Sequence, residues 1–250
     1  MAAGVPNISP SLPVFLLRYC PLGEVFKKTC EFFQIGIIGA SGYTGAELLR
    51  LLTNHPKMSV QIATGETMAG KKIADLYPNL ASAYPSMKFA DLNLEDFSGL
   101  DLVFCALPHG LSQKIIPDLM SKIESIVDLG SDFRLKEKED YVNWYGMEHE
   151  CPEYLDNAVY GLPELFRDQI IESQLIAATG CNAAASIFAL APMLDSGLIK
   201  PDEIIINLIT GVSGAGRPPK DNTTYCAVDA NIVPYGLLTH RHTPEIEQAL

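Results

Sequence analysis

The stretch "QIGIIGASGYTGAELLRLLTNHP", residues 34–56, constrains the fold more than any other. "QIGIIG" is an apolar run of strand length, and "TGAELLRLLTNHP" (Thr44–Pro56) repeats its leucines at helical spacing until a proline stops it. Between them Gly39, Gly42 and Gly45 form a G-x-x-G-x-x-G loop. Small residues at a strand-to-helix turn let the backbone approach a pyrophosphate, which then rests on the helix N-terminus. The strand before and the helix after supply the context that a bare glycine triplet lacks, so the loop predicts nucleotide binding.

The alternation continues along the chain. "SVQIAT" (Ser59–Thr64), "DLVFCAL" (Asp101–Leu107) and "SIVDLG" (Ser125–Gly130) read as buried strands, with "GLSQKIIPDLMSKI" as a helix before the last of them. Short apolar strands alternating with helices predict βαβ units and a parallel sheet. After Asp132 the texture becomes polar and aromatic, "YVNWYGMEHECPEYLDNAVYGLPELFR". A further strand, "SQLIA", then feeds the helix "AAASIFALAPML", and "EIIINLITG" (Glu203–Gly211) reads as a strand entering the loop "GVSGAGRPP".

A formal net charge of -12 argues against nucleic acid or an anionic membrane surface as a partner. An anionic substrate would need a locally positive site. No apolar run reaches the ~18 residues that span a bilayer. Cysteines stand at 20, 30, 105, 151, 181 and 226 with no CxxC pair, which suits neither a zinc site nor a dithiol redox motif and implies a reducing compartment. The first 33 residues are proline-rich, poor in acids and without periodicity. They lack the Arg/Ser richness of a transit peptide and read as an N-terminal extension, with a cytoplasmic location unless the stretch is a targeting segment.

Chemistry concentrates in the second half. In "ATGCNAAAS" the lone Cys181 stands at a strand-to-helix junction, where outward N–H groups and the helix dipole favour an anion. Cys105, inside "VFCAL", reads instead as apolar filler. "THRHTPEIE" gathers His240, Arg241, His242 and Glu245, and "SGAGR" places Ser213 and Arg217 around two glycines as a phosphate nest. A thiolate, an imidazole and arginines fit nucleophilic acyl transfer. The spacing Tyr84–Lys88 imitates a Tyr-x-x-x-Lys pair, but Pro85 interrupts it. His240 and His242 also form an H-x-H pair without a cysteine or acid cluster to complete a zinc site, and no metal is expected. At the end of the second strand, where an acid selects NAD and a base NADP, "ATGETMAGKK" offers Glu66 and then Lys71 and Lys72.

From Ile35 to Leu250 the chain resembles the N-acetyl-gamma-glutamyl-phosphate reductases, relatives of aspartate-semialdehyde dehydrogenase. The matching words, in the family's order, are "GASGYTGAEL", "AGKK", "ALPHG", "DLGSDFRL", "YGLPEL", "GVSGAGR" and "HRHTPEIEQ". The resemblance implies an α/β protein with two parts: an NADP-binding Rossmann-type parallel-sheet domain at 34–180 and an α+β substrate and dimerisation domain at 181–250. It implies NADPH-dependent reduction of a small-molecule acyl phosphate, N-acetyl-L-glutamyl 5-phosphate, through a cysteine thioester in arginine biosynthesis, by a homo-oligomer (dimer or tetramer). Cys181 would be the nucleophile and His240 the general acid/base. Ser213, Arg217, Arg241, His242 and Glu245 would bind substrate, and Gly39, Ser41, Gly42, Tyr43, Thr44 and Gly45 would hold the pyrophosphate of NADP(H).

Three departures from the family's pattern keep alternatives open. Where the family reads Asn-Pro-Gly-Cys-Tyr-Pro-Thr this chain has "ATGCNAAA", closer to relatives that reduce carrier-linked aminoadipyl or glutamyl phosphates. Its Gly65-Glu66 replaces a Ser-Arg pair. A third reading, a non-catalytic NADP-sensing module, would need neither Cys181 nor His240. Family members also continue past this end point, where Thr243 at an N-cap and Pro244 at the first position start a helix. The expectation is an incomplete second domain, a chain that binds NADP(H) but turns over slowly and tends to associate.

Overall fold

The computed structural model describes residues 32–250, so the N-terminal extension at 1–33 lies almost wholly outside the described residues. Six strands form one all-parallel sheet: β1 (Phe33–Ile38), β2 (Met58–Ala63), β3 (Leu102–Cys105), β4 (Ser125–Asp128), β5 (Ala158–Gly161) and β6 (Leu175–Ala178), in the order β2-β1-β3-β4-β6-β5. The residues alternate between two faces. Ile35, Ile37 and Phe104 enter one buried cluster with Leu48, Leu49 and Leu52 of helix α1 (Tyr43–Leu52). Ile38, Val103 and Cys105 enter the other with Ile116 and Leu119 of α2 (Ile116–Met120). Covered on both faces, central strands such as β3 and β6 read as continuous apolar runs, whereas edge strand β2 leaves Gln61 exposed.

The chain leaves β1 toward β2 on one side and returns to β3 on the other. That reversal opens a crevice at the carboxyl ends of β1 and β3, the place where open α/β sheets bind ligands. Gly39 lies there at φ +79°, and a Cβ on it would stand 2.3 Å from the Ala106 carbonyl oxygen. Gly45 packs α1 on the loop: a Cβ there would lie 2.4 Å from Ala40 Cα. Gly45→Ala is therefore expected to lower stability by roughly 1–3 kcal/mol, since only backbone can yield. Denaturant unfolding reads this directly, and an unchanged midpoint would mean that loop and helix are not packed so tightly.

Beyond β6, helix α4 (Cys181–Asp195) buries Ala183, Ile187 and Ala191, one residue per turn along a single face. Helix α3 (Pro163–Ile171) sits between β5 and β6. The last helix, α5 (Thr243–Ala249), is too short to persist alone in water. It is held by Ile246 and Ala249, which pack into the cluster of α4 with Tyr160 and Leu162.

Several sequence expectations shift. The helix expected at 110–123 is split into a 3-10 turn, Ser112–Lys114, and α2, because Pro117 is tolerated only in a first turn. His242, not Thr243, is the N-cap of α5. β5 was not anticipated from its short "AVYG". "EIIINLITG" forms no strand: it has no ladder partner, and Ile205 and Ile209 are 87% and 82% exposed. Apolar character favours a strand only where a neighbouring strand offers its N–H and C=O groups. Among the described residues no helix is long and apolar enough to cross a membrane.

Candidate active site

The glycine loop is fastened to the end of β2. Gly39 N–H donates to Thr64 Oγ1 (3.1 Å) and Ala40 N–H to the Thr64 carbonyl (2.7 Å). Tyr77 Oη donates to the carbonyls of Ser41 (2.6 Å) and Gly42 (3.2 Å). Gly42 is the N-cap of α1 and brings no side-chain cap, and the first turn holds no acid. The first-turn N–H groups and the positive end of the helix dipole thus face outward without a side-chain acceptor. A Cβ at Gly42 would meet nothing closer than the Gly39 carbonyl at 3.6 Å. Ser41, Tyr43 and Thr44 surround that opening, so the residues present fit a dinucleotide pyrophosphate.

Cys181 is the first residue of α4, following its N-cap Gly180, and its thiol is exposed. The nearest polar partner of Sγ is Asn182 Oδ1, at 3.9 Å.

Glu245 organises the surroundings of Cys181. It is fully buried. Its Oε1 accepts from the Gly180 N–H (2.7 Å) and the Tyr160 hydroxyl (2.7 Å), while Oε2 lies 2.5 Å from His242 Nδ1 and 3.7 Å from Arg134 Nη1. Burial alone would raise this carboxyl; the His242 hydrogen bond, the Arg134 charge and the Gly180 N–H together hold it below its ordinary value. Arg134 is itself locked, donating from Nε to the Ala178 carbonyl (2.8 Å) and from Nη2 to that of Leu129 (3.0 Å). The carboxylate thus ties α5 to the ends of β4, β5 and β6.

His242 is pressed onto Gly180, the residue before Cys181. A Cβ on Gly180 would fall 2.0 Å from His242 Cε1, so only glycine admits the ring there. His240 packs against it in a tilted arrangement at 5.1 Å between centroids and against Tyr235 at 5.3 Å, and its Nδ1 accepts the His242 N–H (3.2 Å). Burial, then the neighbouring His242 and Arg241, push the His240 imidazole below its usual pKa. Arg241 lies 5.4 Å from the Tyr145 ring centroid. Asn182 Nδ2 donates to Tyr235 Oη (3.1 Å), linking the start of α4 to the stretch before His240.

Of the residues singled out in the sequence, Cys181, His242 and Glu245 therefore meet at the start of α4, with His240 beside His242 and Arg241 against Tyr145. Arg217 does not join them: its Nη1 donates to the Ser41 carbonyl (3.0 Å) on the glycine loop. Ser213 is exposed in the 3-10 turn Val212–Ala215. Arg134, Tyr145 and Tyr160 escaped attention as site residues. Arg134 and Tyr160 follow or end strands β4 and β5 inside the motif words "DLGSDFRL" and "YGLPEL", and the carboxyl ends of parallel strands are where such residues belong.

Asp128, at the end of β4, is buried, with Oδ1 accepting from Ser112 Oγ (2.8 Å) and the Gly130 N–H (3.0 Å) and Oδ2 without a partner. Burial, reinforced by Asp132, lifts its pKa from 3.8 to about 7. A folded-state pKa above the unfolded one means that the native chain binds the extra proton between those values, so this carboxyl lowers stability as pH rises from about 4 to about 7. Asp128→Asn is expected to flatten that part of the stability–pH curve. An unchanged slope in denaturation between these pH values would show that Asp128 titrates normally.

Comparison with known proteins gives two family matches along the chain. Residues 34–173 match the family model "Semialdehyde dehydrogenase, NAD binding domain", and residues 181–250 match "Semialdehyde dehydrogenase, dimerisation domain". The chain is similar to proteins named N-acetyl-gamma-glutamyl-phosphate reductase. That of Jannaschia sp. (strain CCS1) is 47% identical over 218 residues, covering 86% of this chain and 63% of the relative. The relative from Pseudomonas aeruginosa (strain UCBPP-PA14) is 41% identical over 87% of this chain and 63% of its own length. In Acinetobacter baylyi the figures are 44%, 87% and 62%. The chain thus spans a little under two thirds of the length of these relatives.

Proposed function

The chain belongs to the semialdehyde dehydrogenase family, and on that premise we propose that it carries the machinery for NADPH-dependent reduction of N-acetyl-L-glutamyl 5-phosphate. The products are N-acetyl-L-glutamate 5-semialdehyde and phosphate. The observation that most supports this reading is the buried Glu245–His242 pair set against the Gly180–Cys181 junction. Cys181 would be the nucleophile, His242 the base and Glu245 the carboxylate that orients it, the set of groups that covalent catalysis uses.

In this reading the Cys181 sulfur attacks the acyl carbon, the carbon–oxygen bond to phosphate breaks, and a thioester forms. Bound NADPH supplies the hydride that reduces the thioester carbonyl. The resulting thiohemiacetal collapses, returning the electron pair to Cys181 and releasing the semialdehyde. His242 takes the thiol proton and manages the proton on the oxygen, with Glu245 holding its Nδ1 and leaving Nε2 to act. N–H groups at residues 181–183 open α4 and would stabilise the oxyanion. Arg241 supplies positive charge at the pocket against the acidic background of the chain.

The glycine loop holds the pyrophosphate through Gly39, Ser41, Gly42, Tyr43, Thr44 and Gly45. Exposed Ile205 and Ile209, within the segment matched by the dimerisation model, support a homo-oligomer. The test is phosphate-dependent reduction of NADP⁺ by N-acetyl-L-glutamate 5-semialdehyde, followed by absorbance. Reduction that ignores phosphate, or that requires a carrier-linked substrate, would replace this reading.

A further inference from the structure

Resting on the dinucleotide reading above, we propose that Arg217 recognises the 2′-phosphate of NADP(H), supplying from the second half of the chain the cation that the end of β2 lacks. In nucleotide-binding sheets the residue after the second strand meets the adenosine ribose, where an acid accepts the 2′-OH and an arginine accommodates a 2′-phosphate. Here that position is Glu66, exposed in the 3-10 turn Glu66–Met68, and its charge opposes a phosphate.

Arg217 stands where the compensation is needed. It comes from 176 residues along the chain to donate from Nη1 to the Ser41 carbonyl, and its guanidinium lies 5.7 Å from the centroid of the Tyr77 ring. Tyr77 belongs to the crossover that follows β2, so both partners hold Arg217 between the glycine loop and that crossover. The same phenol donates to the Ser41 and Gly42 carbonyls, which makes loop, ring and guanidinium one assembly. Gly216, at φ +87° after the turn Val212–Ala215, aims the arginine at it.

The chemistry of these contacts calls for an anion. Among the described residues Arg217 touches a carbonyl, a hydroxyl at 3.5 Å and a ring face, none of which carries a negative charge. Nη1 makes both hydrogen bonds, so the donors on Nε and Nη2 remain for a ligand. A partly buried guanidinium with donors left over, in a chain of net charge -12, is a positive spot that a phosphate can occupy.

Direct titration of NADPH and NADH, by nucleotide fluorescence, tests this without turnover. The unaltered chain is expected to bind NADPH more tightly than NADH. Arg217→Met is expected to weaken NADPH by roughly 10- to 100-fold, the scale of a charge-assisted contact, and to leave NADH nearly unchanged. Adding Glu66→Arg to Arg217→Met should return NADPH affinity by moving the cation to the ribose end. Equal weakening of both nucleotides, no weakening, or failure of the second change to restore NADPH would overturn the assignment of Arg217. Absence of binding by either nucleotide to the unaltered chain would instead remove the dinucleotide reading and this inference with it.

Discussion

Cys181→Ser is expected to abolish phosphate release from the acyl phosphate while NADP(H) binding stays close to that of the unaltered chain. Sulfur is both a strong nucleophile and a good leaving group, and the thioester it forms accepts hydride; an oxygen ester at the same position does neither well. Removing a covalent nucleophile commonly costs on the order of 10³-fold or more. A variant within about tenfold, ~1.4 kcal/mol of barrier, would mean that Cys181 forms no covalent intermediate. Binding is spared because the glycine loop follows β1, whereas Cys181 follows β6 at another point of the sheet edge. Iodoacetamide is expected to reach exposed Cys181 and to leave Cys105 and Cys151 intact. Burial raises both of those thiols, Cys151 to about 12.

His242→Asn is expected to lower kcat/KM by about 10²–10⁴-fold, the usual weight of general acid/base catalysis, and His240→Asn by less. The family resemblance assigns proton transfer to His240, but the geometry favours His242. Its ring is the one that touches Gly180 and the one whose Nδ1 is held by a buried carboxylate. His240 has neither; it packs a tilted face against the His242 ring and accepts the His242 N–H. Equal losses, or the larger loss at 240, would return the role to His240. Because Asn keeps a polar, smaller side chain, folding of each variant can be checked by its NADP(H) affinity, which neither change touches.

The local pattern of the sequence determined most of the nucleotide half. A parallel sheet with both faces covered requires apolar runs, and a strand-loop-helix turn that must pass a phosphate requires Gly39, Gly42 and Gly45 in that order. Both are short-range demands, legible residue by residue. The position of Cys181 at a helix N-terminus was legible for the same reason. Tertiary structure alone decided what surrounds it. Nothing near Glu245 in the sequence reveals that its carboxylate would be buried with Arg134, Tyr160 and the Gly180 N–H, because these partners come from separate strands. The "SGAGR" loop looked like a nest for the substrate's phosphate, yet Arg217 reaches the glycine loop, since a long side chain is placed by the path of its backbone and not by its motif. "EIIINLITG" has the composition of a strand and forms none. A ladder is made by two strands' hydrogen-bonding groups, and the composition of one segment specifies only one of them.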